Sequence, residues 1–386
     1  MLQVFVGTLK KLRAIASEQS NEFRSEGFST LFAMLRRELD DQFVFEIQTH
    51  LKKLKFRDGV LISAELGKGN KGSLYVLRKP LDDHRGWMKR VFLQNPAGFT
   101  FQLHPRDENG ARALSELQAR GTGLVANAVV QSAEHIVDFL SMLKTELAFY
   151  IGCLNLRGRL AQIGEPVCFP RPVSSIQHKH SFQSLYDICL ALSMKQKVVG
   201  NNVDADDKKL VIITGANQGG KSTFLRSRGL AQLMMQASMF VPAESFCANI
   251  CDRLFTHYKR EEDVSLKSGK FDEELSRMSD IVDHITPNSM VLFNESFAAT
   301  NEREGSEIAR QIVTALVEKQ VKVFFVSHLY DFARGFYDEG LDSAIFLRAE
   351  RQSDGTRTFK LVQGEPLETS YGADLYKRIF EDYNPA

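Results

Sequence analysis

The sequence predicts an α/β fold, with a mostly parallel sheet flanked by helices in the second half and a mainly helical domain carrying a small β patch before it. Three observations lead there. From residue 210 onward, short apolar strand-like runs alternate with helical patterns. One run is joined to the next helix by a glycine-rich loop, Gly215-Ala-Asn217-Gln-Gly219-Gly220-Lys221-Ser222. Residues 122–163 keep a helical apolar period with no proline.

The first half begins with Leu31, Leu35, Leu39, Phe43, Ile47 and Leu51, whose mostly helical spacing predicts one long amphipathic helix over 29–55, with Ser29 as N-cap candidate. Two strand-like runs, 60–66 and 73–78, flank Gly67-Lys-Gly69-Asn-Lys-Gly72 and predict a hairpin whose glycines supply positive φ. Further runs at 91–93 and 99–103 extend this β patch to about 59–103. The period over 122–163 predicts a rod of about 60 Å at 1.5 Å per residue.

Pro166 to Pro172 ends the helical domain at 165, and 166–209 reads as a connector containing the polar stretch 200–209. The α/β domain then covers 210–386. Its strands are expected at 210–213, 249–258, 289–293, 321–326, 343–348 and 357–363. Helices are expected from Lys221 to about 237, through Phe271 and Ile285, and through Ile308 and Leu316. In such a sheet ligands gather at the carboxyl ends of the strands.

Composition narrows the class without naming a partner. The 386 residues carry 49 basic and 48 acidic side chains, a net charge of +1, which selects neither nucleic acid nor an acidic membrane. Five cysteines, at 153, 168, 189, 247 and 251, form no CxxC pair and read as buried free thiols rather than metal ligands. No run suits a membrane span and the N-terminus lacks a basic leader before an apolar stretch, so the expected location is cytoplasmic, and nucleoid-associated in a bacterium.

The loop at 215–222 predicts the chemistry. Its glycines let backbone N–H groups close round an anion, Lys221 adds a point charge for the outer phosphates, and Ser222 offers a hydroxyl to Mg²⁺. The helix beginning at Lys221 points its positive end at the same place. A nucleoside triphosphate with Mg²⁺ is the expected ligand. The other glycine loop, Gly67 to Gly72, also satisfies G-x-G-x-x-G between two strands. His104-Pro-Arg106-Asp107 follows too soon to serve as a kinase catalytic loop, and the hairpin reading stands.

Three further groups fall where strands end or helices begin. The run 289–293 leads into Asn294-Glu295. Glu295 is a candidate general base that orients water beside a γ-phosphate; its alternative role is to cap the next helix. Asn294 can hold a metal-bound water but brings no negative charge. His328 follows 321–326 by two residues, as a γ-phosphate sensor or as a structural histidine. Ser268-Gly269-Lys270 precedes the helix through Phe271. It reads either as a simple N-cap or as a phosphate contact to a nucleotide on another subunit.

Taken together, Thr214-Gly-Ala-Asn-Gln-Gly-Gly-Lys-Ser-Thr223, Phe240-Val-Pro-Ala243, Asp252-Arg-Leu-Phe-Thr256, Asp263, Asn294-Glu295, Ser327-His328 and Ser370-Tyr371-Gly372 resemble the ATPase domain of the MutS family of DNA mismatch-repair proteins. The loop fits the family form TGxNxGGKST at every fixed position. This resemblance implies an ABC-type ATPase head on a helical core and lever, working as a homodimer with two composite ATP sites. It implies that Asn217 shapes the phosphate loop, that Lys221, Ser222 and Thr223 bind phosphates and Mg²⁺, that Glu295 serves hydrolysis, and that His328 senses the γ-phosphate. Ser268 and Gly269 would act on the partner's nucleotide, and head closure would be coupled to DNA.

Three departures from the family pattern bear on rate. Asn294 stands where an acidic residue is usual, the signature before Phe271 is shortened, and Phe297-Ala-Ala-Thr300 replaces Gly-Arg-Gly-Thr. They imply slow hydrolysis, or a nonhydrolysing nucleotide-gated scaffold or protein-interaction module. The sequence has no room for a mismatch-reading domain before the helical region. The partners that the resemblance implies are DNA, through the helical region and its hairpin, and a repair protein. Lys68, Lys71, Arg78, Lys79, Arg85, Lys89 and Arg90 make the region round the hairpin locally basic, which suits phosphate contacts or simple solvation.

Overall fold

A computed structural model describes residues 2–53, 60–78, 102–259 and 269–368, together with Gly372 and Tyr376. The chain divides into two units, 1–148 and 149–386. The first contains α1 (Leu2–Glu18), α2 (Glu26–Glu38), α3 (Asp41–Lys53), the antiparallel hairpin of β1 (Leu61–Leu66) and β2 (Gly72–Arg78), and most of α4 (Glu108–Ile163). Ala16 of α1 packs against Phe32 and Leu35 of α2, with Phe139 of α4 against the same cluster.

The single helix expected over 29–55 is two. Leu39 leaves helical geometry at φ −104° and ψ 43°, and the Asp40 carboxylate accepts from Phe43 N at 2.7 Å. An aspartate that caps a new helix outweighs the apolar period running through it. The first of the pair starts under a Ser25 cap, which accepts from Phe28 N at 3.3 Å, and not under Ser29. The hairpin forms as expected about Gly69, at φ 72°. Of the other expected strands, 91–93 and 99–101 lie outside the described residues, and Gln102 and Leu103 are in no strand.

Helix α4 runs 56 residues, from Glu108 rather than from about 122, with Asp107 accepting from Gly110 N at 2.9 Å. Gly110, Gly121 and Gly123 weaken the sequence signal for that early portion. Its last turns belong to the second unit, where Leu160 is fully buried and Cys153 and Leu156 pack against the core.

That unit holds two sheets. The smaller has the order β3 (Arg171–Val173), β7 (Ser245–Asn249), β4 (His180–Leu185), β5 (Asn201–Asp204), and it is largely antiparallel. The larger has the order β12 (Arg357–Gln363), β11 (Ala344–Arg351), β6 (Leu210–Gly215), β10 (Lys322–Val326), β9 (Met290–Asn294), β8 (Leu254–Tyr258). All its neighbours are parallel except the β11–β12 pair at the edge. Of the expected strand over 249–258 only Leu254–Tyr258 forms one, β8; Asn249 ends β7 in the small sheet, and Ile250 to Arg253 are irregular chain.

The helices are α5 (Ile188–Met194), α6 (Lys221–Gln236), α7 (Lys270–His284), α8 (Glu302–Glu318) and α9 (Tyr330–Asp338). One face of the large sheet buries Val291, Phe293, Val323 and Phe325 with residues of α7, α8 and α9; the other buries Val211, Ile213, Leu292 and Phe324 with α6 and the small sheet. Runs buried on both faces are what a parallel sheet demands, and each buried Val or Phe side chain stabilises by about 1.5–3 kcal/mol. The segment 166–209 contributes β3, β4, α5 and β5 to this same core.

Buried polar contacts fix α6 between the sheets. Arg228, fully buried, bonds the His180 ring of β4 and donates to Gln232 Oε1 at 2.7 Å, while its guanidinium lies 5.3 Å from the Phe246 ring and 5.4 Å from Phe324. Gln232 donates onward to Asn249 O at 3.0 Å. The helix ends where Ser238 turns left-handed at φ 59° and Met239 N reaches back to Met234 O. Of the five cysteines only Cys251 is buried; Cys189 is exposed and the others are intermediate, so the expectation of uniformly buried thiols is corrected. Among the described residues no three His, Cys, Asp or Glu side chains form a metal cluster, and no helix is long and apolar enough to cross a membrane.

Candidate nucleotide site

Three parallel strands deliver the site residues to one edge. Val326 of β10 is in register with Ile213 of β6 on one side and Asn294 of β9 on the other. The chain leaving each strand is tied to its neighbour: Glu295 N donates to Val326 O at 2.9 Å, and Ser327 N to Ile213 O at 3.1 Å. The phosphate loop after β6, Glu295 after β9 and His328 after β10 are therefore adjacent by topology.

The loop is shaped by glycine where nothing else fits. Gly215 has φ 100° and Gly220 φ 89°, both left-handed, and a Cβ on Gly219 would sit 2.6 Å from the Ala349 methyl. Lys221, 5 % exposed, folds over the loop and donates to the carbonyls of Gly215 at 2.8 Å and Ala216 at 3.0 Å. An ammonium has three donors, so one remains for an anion. Burial drives its pKa down to about 8. Asn217 gives its backbone carbonyl to Arg357 Nε at 3.2 Å, which ties the loop to β12.

Across the cavity, His328 Nε2 lies 3.2 Å from Glu295 Oε1. The contact with His328, against partial burial, holds the Glu295 carboxyl below the usual glutamate range. Glu295 sits at φ 54° and Phe297 at φ 63°, so the turn after β9 is strained at two non-glycine positions. Helix α8 is capped instead by Asn301, whose side chain accepts from Glu304 N at 3.0 Å, which leaves Glu295 free of the capping role. Ser222 Oγ donates to Asn294 Oδ1 at 2.7 Å.

A cavity of 530 Å³ joins Asn217, Gly219, Gly220, Lys221, Ser222, Thr223, Glu295 and His328. Gly215 supports the loop from behind, and Asn294 reaches the cavity rim through Ser222. Ser268 lies outside the described residues. Gly269 is the N-cap of α7, with φ −62° and open space round its Cα, and it does not line this cavity.

The far wall was not read from the sequence. Tyr186, Leu190, Met194 and Val199 approach from β4, α5 and the chain after it, and Phe359 from β12. Phe359 is held at φ 60° by Asn201, whose amide donates to Phe359 O at 3.3 Å and whose carbonyl accepts from Leu361 N at 2.7 Å. The Tyr186 hydroxyl is buried without a partner among the described residues. A pocket with N–H donors and a cation at one end and an aromatic and aliphatic wall at the other suits a ligand with an anionic tail and a flat ring.

Oxygen donors also converge here. The Ser222 hydroxyl and the Asn294 amide oxygen, 2.7 Å apart, are hard, neutral oxygen ligands of the kind Mg²⁺ accepts when phosphate and water complete its shell.

Strand, glycine loop, helix and carboxylate in this order define an ABC-type P-loop head joined to a helical region. The MutS2 N-terminal domain family matches residues 1–163 and MutS domain V matches residues 211–380. The chain belongs to the MutS family. Similar proteins include the DNA mismatch repair protein MutS of Leuconostoc citreum, 28% identical over 264 residues, which is 67% of this chain and 30% of that protein. The DNA mismatch repair protein MutS of Parabacteroides distasonis is 30% identical over 253 residues, 64% of this chain and 28% of that protein. That of Thermotoga neapolitana is 33% identical over 171 residues, 44% and 21% respectively. The chain thus spans about 30% of the length of the curated relatives it matches.

Proposed function

We propose that this protein binds ATP with Mg²⁺ in the 530 Å³ cavity and hydrolyses it slowly, as a homodimer with composite sites that couples head closure to DNA in repair or recombination. The carrying observation is the placement of a buried lysine with a spare donor and a carboxylate–imidazole pair on one cavity at a parallel sheet's carboxyl edge. Lys221 and the N–H groups of Gly219 to Ser222 hold the phosphates. Ser222 and Asn294 hold Mg²⁺, which supplies charge neutralisation when bound. Glu295, kept ionised by His328, accepts the proton of an attacking water, and His328 reports the γ-phosphate through the same contact. Gly269, the N-cap of α7, and Ser268, which precedes it in sequence, serve the nucleotide of the second copy.

Steady-state ATP hydrolysis of wild type and Glu295→Ala, with and without single-stranded, duplex and branched DNA, tests this. Loss of turnover on the order of 100-fold or more in Glu295→Ala, and stimulation of wild type by one DNA form, are expected. A rate indifferent to Glu295 would remove it from the mechanism, and indifference to every DNA would remove the nucleic-acid role. Asn294 specifically favours a second reading, a nonhydrolysing gated scaffold. A modest gain in Asn294→Asp supports the enzyme; a large gain from near zero supports the scaffold.

A further inference from the structure

The interior behind the Glu295 turn contains a set of buried polar groups that the nucleotide chemistry does not use. His257, on β8, is fully buried. Its Nε2 is 2.9 Å from the carbonyl of Glu274 on α7 and its Nδ1 is 2.7 Å from the Ser296 hydroxyl. A carbonyl can only accept, so Nε2 carries the proton and Nδ1 is the acceptor. The Ser296 hydroxyl also lies 2.6 Å from the carbonyl of His257, and its one proton is shared between these two acceptors. The Glu274 carboxylate, 4 % exposed, accepts from Phe297 N at 2.9 Å. The His257 ring stacks on Phe297, with centroids 5.1 Å apart and planes at 18°.

These contacts bracket Glu295. Residues 296 and 297 leave it directly into the network, while on its other side Asn294 O accepts from Lys259 N at 3.0 Å, one residue beyond β8. Glu295 and Phe297 both have positive φ without being glycine, a conformation that persists only where the surroundings impose it. Among the surroundings that hold it are His257, Ser296 and Glu274, beside the backbone bond from Glu295 N to Val326 O.

We infer that His257 and Glu274 are positioning residues for Glu295, joining helix α7 to the turn that aims the carboxylate, so that α7 sets whether Glu295 is in place. This rests on the reading of Glu295 as the general base. Gly269 opens α7 one turn before Glu274, so whatever the start of that helix touches is communicated to the turn through one carboxylate and one imidazole.

The test uses the full chain and four variants, His257→Leu, Ser296→Ala, Glu274→Leu and Glu274→Gln, each checked by thermal unfolding, with Mg·ATP affinity measured by calorimetry and turnover in the same buffer. A Gln at 274 keeps an oxygen to accept from Phe297 N, whereas Leu does not. The expected result is kcat lowered on the order of tenfold or more in His257→Leu and Glu274→Leu, with affinity within about twofold of wild type, and kcat near wild type in Glu274→Gln. Glu274→Leu with unchanged kcat, or kcat and affinity falling in parallel across the set, overturns the inference. Glu274→Gln as impaired as Glu274→Leu overturns it as well. Wild type that binds Mg·ATP without turnover instead fails the hydrolytic reading itself, and is distinguished by that measurement alone.

Discussion

Lys221 shows how the site trades stability for charge. Burial lowers its folded pKa to about 8 from a model-peptide value of about 10.4, so the folded state disfavours the ammonium. The penalty is complete below pH 8, where both states are protonated, and it fades as pH rises from 8 towards the unfolded value. Lys221→Met should therefore be more stable than wild type at pH 7, by on the order of 2 kcal/mol, with the gap closing by pH 10. Denaturant titrations at the two pH values check this. A variant less stable than wild type at pH 7 would show that the two carbonyl contacts outweigh the buried charge. Residues of this kind were legible in the sequence because the phosphate loop is local: Gly215 to Ser222 are contiguous, and their chemistry follows from spacing. Phe359 and Tyr186 were not legible, because only sheet pairing brings β12 and β4 to the loop. His257 was missed for a different reason. In sequence it is one polar residue in a strand, and its partners Glu274 and Ser296 are 17 and 39 residues away.

At the scale of elements, strands and helices were readable where pattern and caps agree. The runs at 210–213 and 290–293 are continuous and apolar, 321–326 is broken only by Lys322, and each lies in a buried parallel strand. They were misread where a local polar group competes with the pattern, as Asp40 does in splitting 29–55. They were also misread at 249–258, where Asn249 closes a strand of the small sheet and the next strand begins only after Asp252-Arg253, in the large sheet. The turn after β9 depends on α8 as well as α7. Gly305, in the first turn of α8, leaves so little space that an added Cβ would lie 2.4 Å from Phe297 O. A backbone atom cannot rotate away, so Gly305→Ala must shift the helix or the turn. The expected cost is about 1–3 kcal/mol in denaturant unfolding together with reduced turnover. An alanine variant with wild-type stability would show that this packing yields easily.

For the whole molecule, the two family matches place a helical domain before a P-loop head in one chain. The head's fold class followed from alternation of strands and helices, but its second sheet did not, since 166–209 reads as a connector until its strands pair with β7. A composite site requires a second copy. Sedimentation with a nonhydrolysable ATP analogue should give a dimer that returns towards monomer when the analogue is removed; a mass unaffected by nucleotide would count against composite sites. Beneath that assembly lies a simpler claim, that Lys221 and the loop amides grip a triphosphate. Calorimetry of Mg·ATP with wild type and Lys221→Ala tests it most directly. Saturable binding by wild type, weakened on the order of 100-fold or more in the variant, is the predicted result. No binding by wild type, or equal affinity in both proteins, would contradict it.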